Sequence, residues 1–478
     1  MIATFAICIG ISIISLLKVT RKLGFFSFMA IWLPIWILQL SMIKISLYLT
    51  NLLNFKFGFA TSFLLIALSW FGLTAFFKNS SLHEFRLIRS KADRWQLVQI
   101  LIFGIVYAIF NFYTFNFIDL SSVDLKNHLN LIASYLTIPQ PLFTHYFFNP
   151  ENYEIVQGIF YPNSTNIVGA FFLYFSGSSA LNVYALSTIF LGFFCWPILL
   201  FIFLKSYNPK FDTSLLPIFI VFFNLFPMSL IENNHFSLLF AFILLTSILI
   251  FFNTLYNNYT YLLGLFILVS SVLLFFAHPI TVLVFALYML FFDFSHSRRI
   301  SFNKIVALIF GLFGSFLVIS VLFVNKSVVS YFTILQRINT NFNFPNSSAL
   351  FFSSINPYFL SMNYNLIIPL FPLFFLIYIY KQYGIDKFPI YLYLLYLFLT
   401  ISSFFSELNY PLKALSLASF FFYGSATRIT FIGILAFSLI FFSLFTFREE
   451  LIGTHVLRYI LRLFIILLVT LSSVFMYT

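Results

Sequence analysis

Long apolar runs separated by short polar segments dominate the chain. Each run is close to the roughly 20 residues that an α-helix needs to cross a hydrocarbon core about 30 Å thick. Backbone groups in lipid must be paired internally, and the roughly ten-residue alternation of barrel strands is absent, so helices are predicted. About fourteen crossings are predicted, at residues 2–17, 25–43, 57–77, 97–118, 180–204, 213–231, 237–252, 261–277, 280–294, 305–324, 365–380, 389–405, 429–446 and 457–477.

The composition strengthens the prediction of an all-α, polytopic membrane protein. Of the 478 residues, 62% are hydrophobic and 8% are charged, and the mean hydropathy is +1.02. A soluble domain has roughly a quarter of its residues charged, so that class is excluded. Cys8 and Cys195 lie within apolar runs and predict neither a disulfide nor a metal site.

The net charge of +12 is distributed as a topology signal. The 25 Lys and Arg residues form short clusters between apolar runs, which argues against nucleic acid as a partner. The loop 78–96 and the cluster that follows residue 17 are the clearest inside signals. When the loop 78–96 and that cluster are placed on the cytoplasmic side, roughly eighteen basic residues lie on the cytoplasmic side and about seven on the outer side. We therefore predict a multi-pass protein of the cytoplasmic membrane with both termini outside.

Three longer segments are predicted to lie on the outer side. The first is the large loop 119–178, and the others are 325–364 and 406–428. Within the first loop, residues 166–177 are apolar but too short to cross, which indicates a re-entrant or surface-lying helix. The apolar stretch inside 406–428 is expected to lie in the membrane interface. No internal repeat or linker divides the chain, so residues 1–478 are predicted to form one integrated membrane domain.

The first outer loop holds the strongest candidate for chemistry. Asp124 and His128 are four residues apart, which places them on one face of a helix. Ionisable groups at membrane depth are costly and indicate function. Each of three residues also has a structural alternative. Asp124 could be a charge favoured at a helix N-terminus, and His128 could form a hydrogen bond to Asp124. His278 could cap the end of a span. The other candidate site residues on the predicted outer side are Tyr161, Asn166, His235, His278, Tyr423 and Arg428.

Sugar transfer from a polyprenyl-phosphate donor is the chemistry that these residues favour. An acid deprotonates the acceptor hydroxyl, and a fixed cation stabilises the departing phosphate. Asp124 fits the first role and Arg428 the second, because an arginine binds phosphate in bidentate geometry. The chain has no HExxH motif, hydrolase elbow or nucleotide fingerprint. No cofactor is predicted, and a divalent metal is not favoured.

The motifs resemble those of a bacterial family within the GT-C superfamily of polyprenyl-linked sugar transferases. The resemblance is carried by DLKNHLN at 124–130, YPNSTN at 161–166, the His278-Pro279 step and YGSATR at 423–428. It implies that Asp124 is the catalytic base and that Tyr423 and Arg428 lie near the donor phosphate. It also implies that His128, Tyr161 and His278 line the cavity.

Two departures from the family pattern affect these expectations. Asn166 stands where the Tyr-Pro motif of the family ends in His, and no paired acids of the Asp-x-Asp type occur in the loop. Members that bind a divalent metal tend to have such a pair, so the resemblance implies a metal-independent enzyme. Its expected partners are a polyprenyl-phosphate sugar donor, a glycan or lipid acceptor and membrane lipid.

Two other functions stay open. A cell-surface polysaccharide polymerase or ligase also has many spans and a large outer loop, and it relies on outer Arg and His residues such as Arg337. A lipid or glycan transporter is the third hypothesis, although transporters often show internal symmetry and broken helices at the bilayer midplane. The requirement for Asp124 separates the transferase from both.

Overall fold

The structure is a computed structural model of the whole chain, and its described part is helical apart from one hairpin. All structural statements below concern the residues that it describes: 25–49, 58–64, 66, 88, 90–114, 123–137, 145–149, 154–159, 164–211, 213, 216–222, 230–231, 236–256, 260–296, 306–315, 387–405 and 426–446. Within them, residues 58–64 form a short helical stretch. The larger helices are α1 (Phe25–Leu49), α2 (Lys91–Thr114), α3 (Val123–Thr137), α4 (Ser164–Ser176), α5 (Ala180–Tyr207), α6 (Leu216–Phe222), α7 (Phe236–Leu255), α8 (Thr260–Ala277), α9 (Pro279–His296), α10 (Val306–Ser315), α11 (Phe388–Phe405) and α12 (Ala426–Thr446).

Among the described residues, three helices are long and apolar enough to cross a membrane, which agrees with the prediction of a helical membrane protein. They are Lys91–Ile109, Ala180–Tyr207 and Phe236–Leu255. In α5, a π-helical turn at Phe190–Cys195 separates two α-helical parts. The predicted spans at 2–17, 365–380 and 457–477 lie outside the described residues, so the total of about fourteen crossings stays a prediction.

A two-stranded hairpin in the first outer loop departs from the all-α prediction. The strands β1 (His145–Asn149) and β2 (Glu154–Ile159) are antiparallel, and Asn149 is opposite Glu154. Aromatic and β-branched residues in HYFFN and EIVQGI favour strands. The pattern was missed because two such short segments do not stand out in a chain with 22% aromatic residues.

The chain divides into two compact units. The first comprises residues 1–209, 231–282 and 303–335, and the second comprises 210–230, 283–302 and 336–478. In the first unit, α7 is buried along nearly its whole length, as expected for a helix that is apolar on every side. In the second unit, α11 and α12 pack closely, because Gly433 lets the ring of Tyr396 approach the backbone of α12.

The directions of two helices, α5 and α7, define two ends of the first unit. Tyr184 contacts Phe236 near the beginnings of α5 and α7, and Asn253 Nδ2 donates to Ser206 Oγ near their ends. The two helices are therefore parallel, and about 30 Å separates these two contacts along α5. This length matches the hydrocarbon core of a bilayer. We call the end with Tyr184 and Phe236 the site end.

A buried ion pair marks the opposite end of the same helices. Lys205 Nζ, in the last turn of α5, lies 2.6 Å from Asp93 Oδ1 in the first turn of α2. Ser90 caps α2 through a reciprocal pair, because Asp93 N donates to Ser90 Oγ and Ser90 N donates to Asp93 Oδ2. The pair joins the start of α2 to the end of α5, so these helices are antiparallel. We call this the ion-pair end.

Close helix packing in the first unit makes one glycine sensitive to substitution. A Cβ atom on Gly311 of α10 would lie 2.6 Å from Ile267 Cγ2 and 3.0 Å from Gly264 O of α8. Small residues of this kind let membrane helices approach closely. We expect Gly311→Ala to lower the free energy of unfolding by about 1–3 kcal/mol, because the helices must separate.

The matched control for this prediction is Gly104→Ala in α2. Its new Cβ would meet its nearest atom, Phe193 O, at 3.5 Å, which is ordinary contact. Both variants remove a helical glycine, so the difference between them isolates the steric clash. Unfolding of the purified protein in detergent measures it. Equal stability of the two variants would contradict the packing of α8 on α10.

Candidate functional site

Helix α3 carries both Asp124 and His128. Its buried face is formed by Leu125, His128, Ile132 and Tyr135, whereas Lys126 is exposed. This spacing is that of an amphipathic helix. Asp124 is the second residue of α3 and lies one turn before His128, so the backbone places the two as the sequence analysis expected.

A buried hydrogen bond joins two of the predicted substrate-binding residues. His128 Nδ1 lies 2.8 Å from Asn166 Oδ1, and their side chains are 2% and 0% exposed. An amide oxygen can only accept, so in this arrangement His128 donates from Nδ1. The two residues are 38 positions apart in the sequence. The fold therefore brings the Asp-to-His motif and the Tyr-Pro motif together.

Helices α3 and α4 run in the same direction. His128 contacts Asn166, and one turn further along both helices Gly169 lies against Ile132, whose side-chain atoms would be 2.9 Å from an added Cβ. The first turn of α4 consequently lies beside the second turn of α3, which contains His128. Gly169 matters here because a larger residue would displace the Ile132 side chain at the contact between the two helices.

The beginning of α7 joins the same site. Phe236 is its first residue, and its ring centroid lies 6.0 Å from that of His128 and 4.8 Å from that of Tyr184. The N-terminal ends of α3, α4 and α7 therefore converge around His128, at the site end. Each N-terminus carries a partial positive charge from the helix dipole. The convergence creates a region suited to negatively charged groups.

The first turn of α4 contains buried polar atoms without hydrogen-bond partners. These atoms are Ser164 Oγ, Thr165 Oγ1 and Asn166 Nδ2. A buried polar group left unpaired costs about 1–3 kcal/mol, so three in consecutive residues form a costly arrangement. The Cα–Cβ bonds of a helix tilt toward its N-terminus, and these side chains consequently lean toward the convergence of the three helices.

The structure places the other predicted residues to different extents. Tyr161, His235 and Tyr423 lie outside the described residues, although His235 directly precedes Phe236. Arg428 is in the first turn of α12, within the second unit, and only its backbone is described. The carbonyl of His278 accepts from Thr281 N and Thr281 Oγ1, at 3.0 and 2.6 Å. This backbone contact agrees with the capping alternative for the His278-Pro279 step.

Lys44 is a residue that the sequence analysis did not select. Its side chain is 2% exposed, and Nζ lies 4.3 Å from the centroid of the Phe276 ring near the end of α8. Helix α8 begins next to the end of α7, where Phe251 contacts Phe266, and it therefore runs back toward the site end. A cation over an aromatic face is stabilised by the ring quadrupole. The signal was a single lysine within the apolar stretch SMIKISLYL.

Within the described part of the chain, no group of three or more His, Cys, Asp or Glu side chains is placed to hold a metal ion. Comparison with protein-family models, curated proteins and solved structures finds no match to this chain. The likeness to GT-C transferases, which implied a metal-independent enzyme, stays a prediction. What the fold contributes is the position of Asp124, His128 and Asn166 at one end of membrane-length helices.

Proposed function

We propose that this protein is a membrane glycosyltransferase. It moves a sugar from a polyprenyl-phosphate-linked donor to a glycan or lipid acceptor of the cell envelope, at the outer face of the cytoplasmic membrane. The observation that carries this proposal is the buried hydrogen bond between His128 and Asn166, one helical turn from Asp124. It brings the two loop motifs together at the end of helices that are long enough to cross a membrane.

The proposed reaction is a single displacement at the anomeric carbon of the donor. The Asp124 carboxylate takes the proton of the acceptor hydroxyl, whose oxygen forms the new bond to that carbon. The bond between the carbon and the phosphate oxygen breaks, and the phosphate leaves with its electron pair. The position of Asp124 in the first turn of α3 favours the ionised form that a base requires.

The charge distribution supports an outward-facing site. The ion-pair end carries Lys91, Arg94 and Lys205 but only one acid, Asp93, among the described residues of α2 and α5. Basic residues are retained on the cytoplasmic side of a membrane. The site end lies at the other extremity of the same helices and is accordingly assigned to the outer face, where lipid-linked sugar donors are used.

The departing phosphate requires a fixed positive charge. Arg428 was the candidate from the sequence, and Lys44 is a second one that lies in the same unit as His128 and Asn166. Within that unit we assign neutralisation of the donor phosphate to Lys44, and the convergent helix N-termini add partial charges. The role of Arg428 stays a prediction from the sequence. No step of this proposal uses a metal ion.

A deletion strain tests the proposed function. We expect one sugar to disappear from the envelope glycans and to return when the wild-type gene is supplied. We also expect the polyprenyl-phosphate sugar to accumulate, because its consumption is blocked. A normal sugar composition with shortened or unligated chains would instead indicate a polymerase or ligase. Unchanged glycans and unchanged lipid-linked sugar would contradict the proposal.

A further inference from the structure

We propose that the first turn of α4 binds a phosphate group of an amphiphilic ligand. The donors are Ser164 Oγ, Thr165 Oγ1 and Asn166 Nδ2, which are buried and have no partner among the described residues. The backbone N–H groups of the same turn have no acceptor within the helix. This inference rests on the proposed function only for the identity of the amphiphile, which there is the sugar donor.

The chemistry of these groups selects an anion. Amide Nδ2 and backbone N–H groups can only donate, and both hydroxyl groups can donate as well. A ligand that satisfies them all must carry several acceptors within a small volume, as a phosphate does. The hydrogen bond to His128 occupies the amide oxygen of Asn166 and leaves Nδ2 as the unpaired edge of that side chain.

The surrounding helices strengthen the preference for negative charge. The N-terminus of α7 reaches His128 through Phe236, and the second turn of α3 lies beside the first turn of α4. The first turn of α3 already contains an acid, Asp124, whereas that of α4 contains none. The anion is accordingly assigned to α4, and the base lies on the neighbouring helix.

The ligand is assigned as amphiphilic because of its surroundings. Beyond its first turn, α4 continues with the buried apolar residues Ile167, Val168, Ala170 and Phe171. The site lies near one extremity of helices of membrane length. A phosphate at this depth that carries an alkyl chain places its charge against the donors and its chain in the hydrocarbon. A free phosphate would lose that second contribution.

Binding to the purified full-length protein in maltoside micelles, which contain no phosphate, tests the proposal. The probes are dodecyl phosphate, dodecanol and inorganic phosphate, each titrated against the thermal unfolding midpoint. We expect dodecyl phosphate to raise the midpoint and dodecanol to leave it unchanged. If inorganic phosphate binds as tightly as dodecyl phosphate, the assignment of an amphiphilic ligand is wrong. Equal effects of dodecyl phosphate and dodecanol would overturn the phosphate site.

Thr165→Val is the decisive variant, because it removes one donor and keeps the shape of the side chain. We expect its affinity for dodecyl phosphate to fall about tenfold, as a hydrogen bond to a charged group is lost. Without ligand its midpoint should rise or stay unchanged, because the hydroxyl that is removed has no partner. Unchanged affinity would overturn the proposal, and so would a lower midpoint in the absence of ligand.

Thr246→Val is the matched control. Thr246 is equally buried in α7, but its hydroxyl donates to Phe242 O at 2.8 Å. We expect unchanged affinity for dodecyl phosphate in this variant. Failure of this inference and failure of the proposed function are distinguishable. If dodecyl phosphate binding depends on Thr165 but deletion leaves the glycans unchanged, the phosphate site is supported and the transferase function is contradicted. If the glycans change but binding does not depend on Thr165, the transferase function is supported and the phosphate site is contradicted.

Discussion

Replacing Asp124 with asparagine is expected to reduce sugar transfer by about 10²–10⁴-fold, the usual contribution of a general base. Asparagine keeps the size and hydrogen-bonding capacity of the side chain but cannot accept the proton of the acceptor hydroxyl. The variant should remain in the membrane at normal abundance, since Asp124 is the second residue of α3 and asparagine has nearly the same shape. The assay is complementation of the deletion strain, with glycan sugars and lipid-linked donor measured together.

Lys126→Gln is the matched control for this experiment. Lys126 lies two residues further along the same helix, and its side chain is exposed. Neutralising it changes the charge of α3 by one unit without touching the site, so we expect full complementation. If Asp124→Asn also complements the deletion, Asp124 is not the base. Its role is then the structural alternative from the sequence analysis, a charge favoured at a helix N-terminus. The polymerase and transporter hypotheses would then come first.

The helices of this protein could be predicted from its sequence because lipid imposes a strong length requirement. The predicted spans 97–118, 180–204 and 237–252 correspond to helices Lys91–Ile109, Ala180–Tyr207 and Phe236–Leu255. Helix α4 was also expected, and it ends at Ser176, just before Gly177 with φ 64°. Glycine adopts this left-handed conformation without steric cost. The apolar pattern and one stop signal were sufficient in these cases.

The contacts between motifs were beyond sequence reasoning. One alternative for His128 was a hydrogen bond to Asp124 on its own helix, which stays a prediction. The structure adds a hydrogen bond to Asn166 on α4. Periodicity describes each helix alone and contains no information about which helices meet. Lys44 was missed for the same reason, because only its contact with Phe276 shows that the charge is held inside the protein.

The hairpin shows a different limit. A strand of five or six residues has no length requirement comparable to that of a membrane span, and its aromatic residues resemble the rest of this chain. Only pairing between the two strands, with Phe147 opposite Val156, identifies them.

Breaking the ion pair between Lys205 and Asp93 is expected to have the largest effect on stability. Asp93→Asn keeps an acceptor for Ser90 N, which now bonds to Asp93 Oδ2, but it leaves the Lys205 ammonium buried without its counter-charge. Removing one partner of a buried pair costs about 3–5 kcal/mol. The free energy of unfolding in mixed micelles with increasing dodecyl sulfate measures this loss. Arg94→Gln, the neighbouring exposed charge, should change it by less than about 0.5 kcal/mol.

A second substitution distinguishes the charge effect from loss of the helix cap. Lys205→Met in the Asp93→Asn background removes the uncompensated charge and fills a similar volume, so most of the lost stability should return. If the double variant is as unstable as Asp93→Asn alone, the cap formed by Ser90 and Asp93 is the main contribution. If Asp93→Asn itself is stable, the Lys205 ammonium reaches water at the membrane surface, as long basic side chains near helix ends do. Recovery in the double variant would instead establish that the pair holds α2 against α5 through its charges.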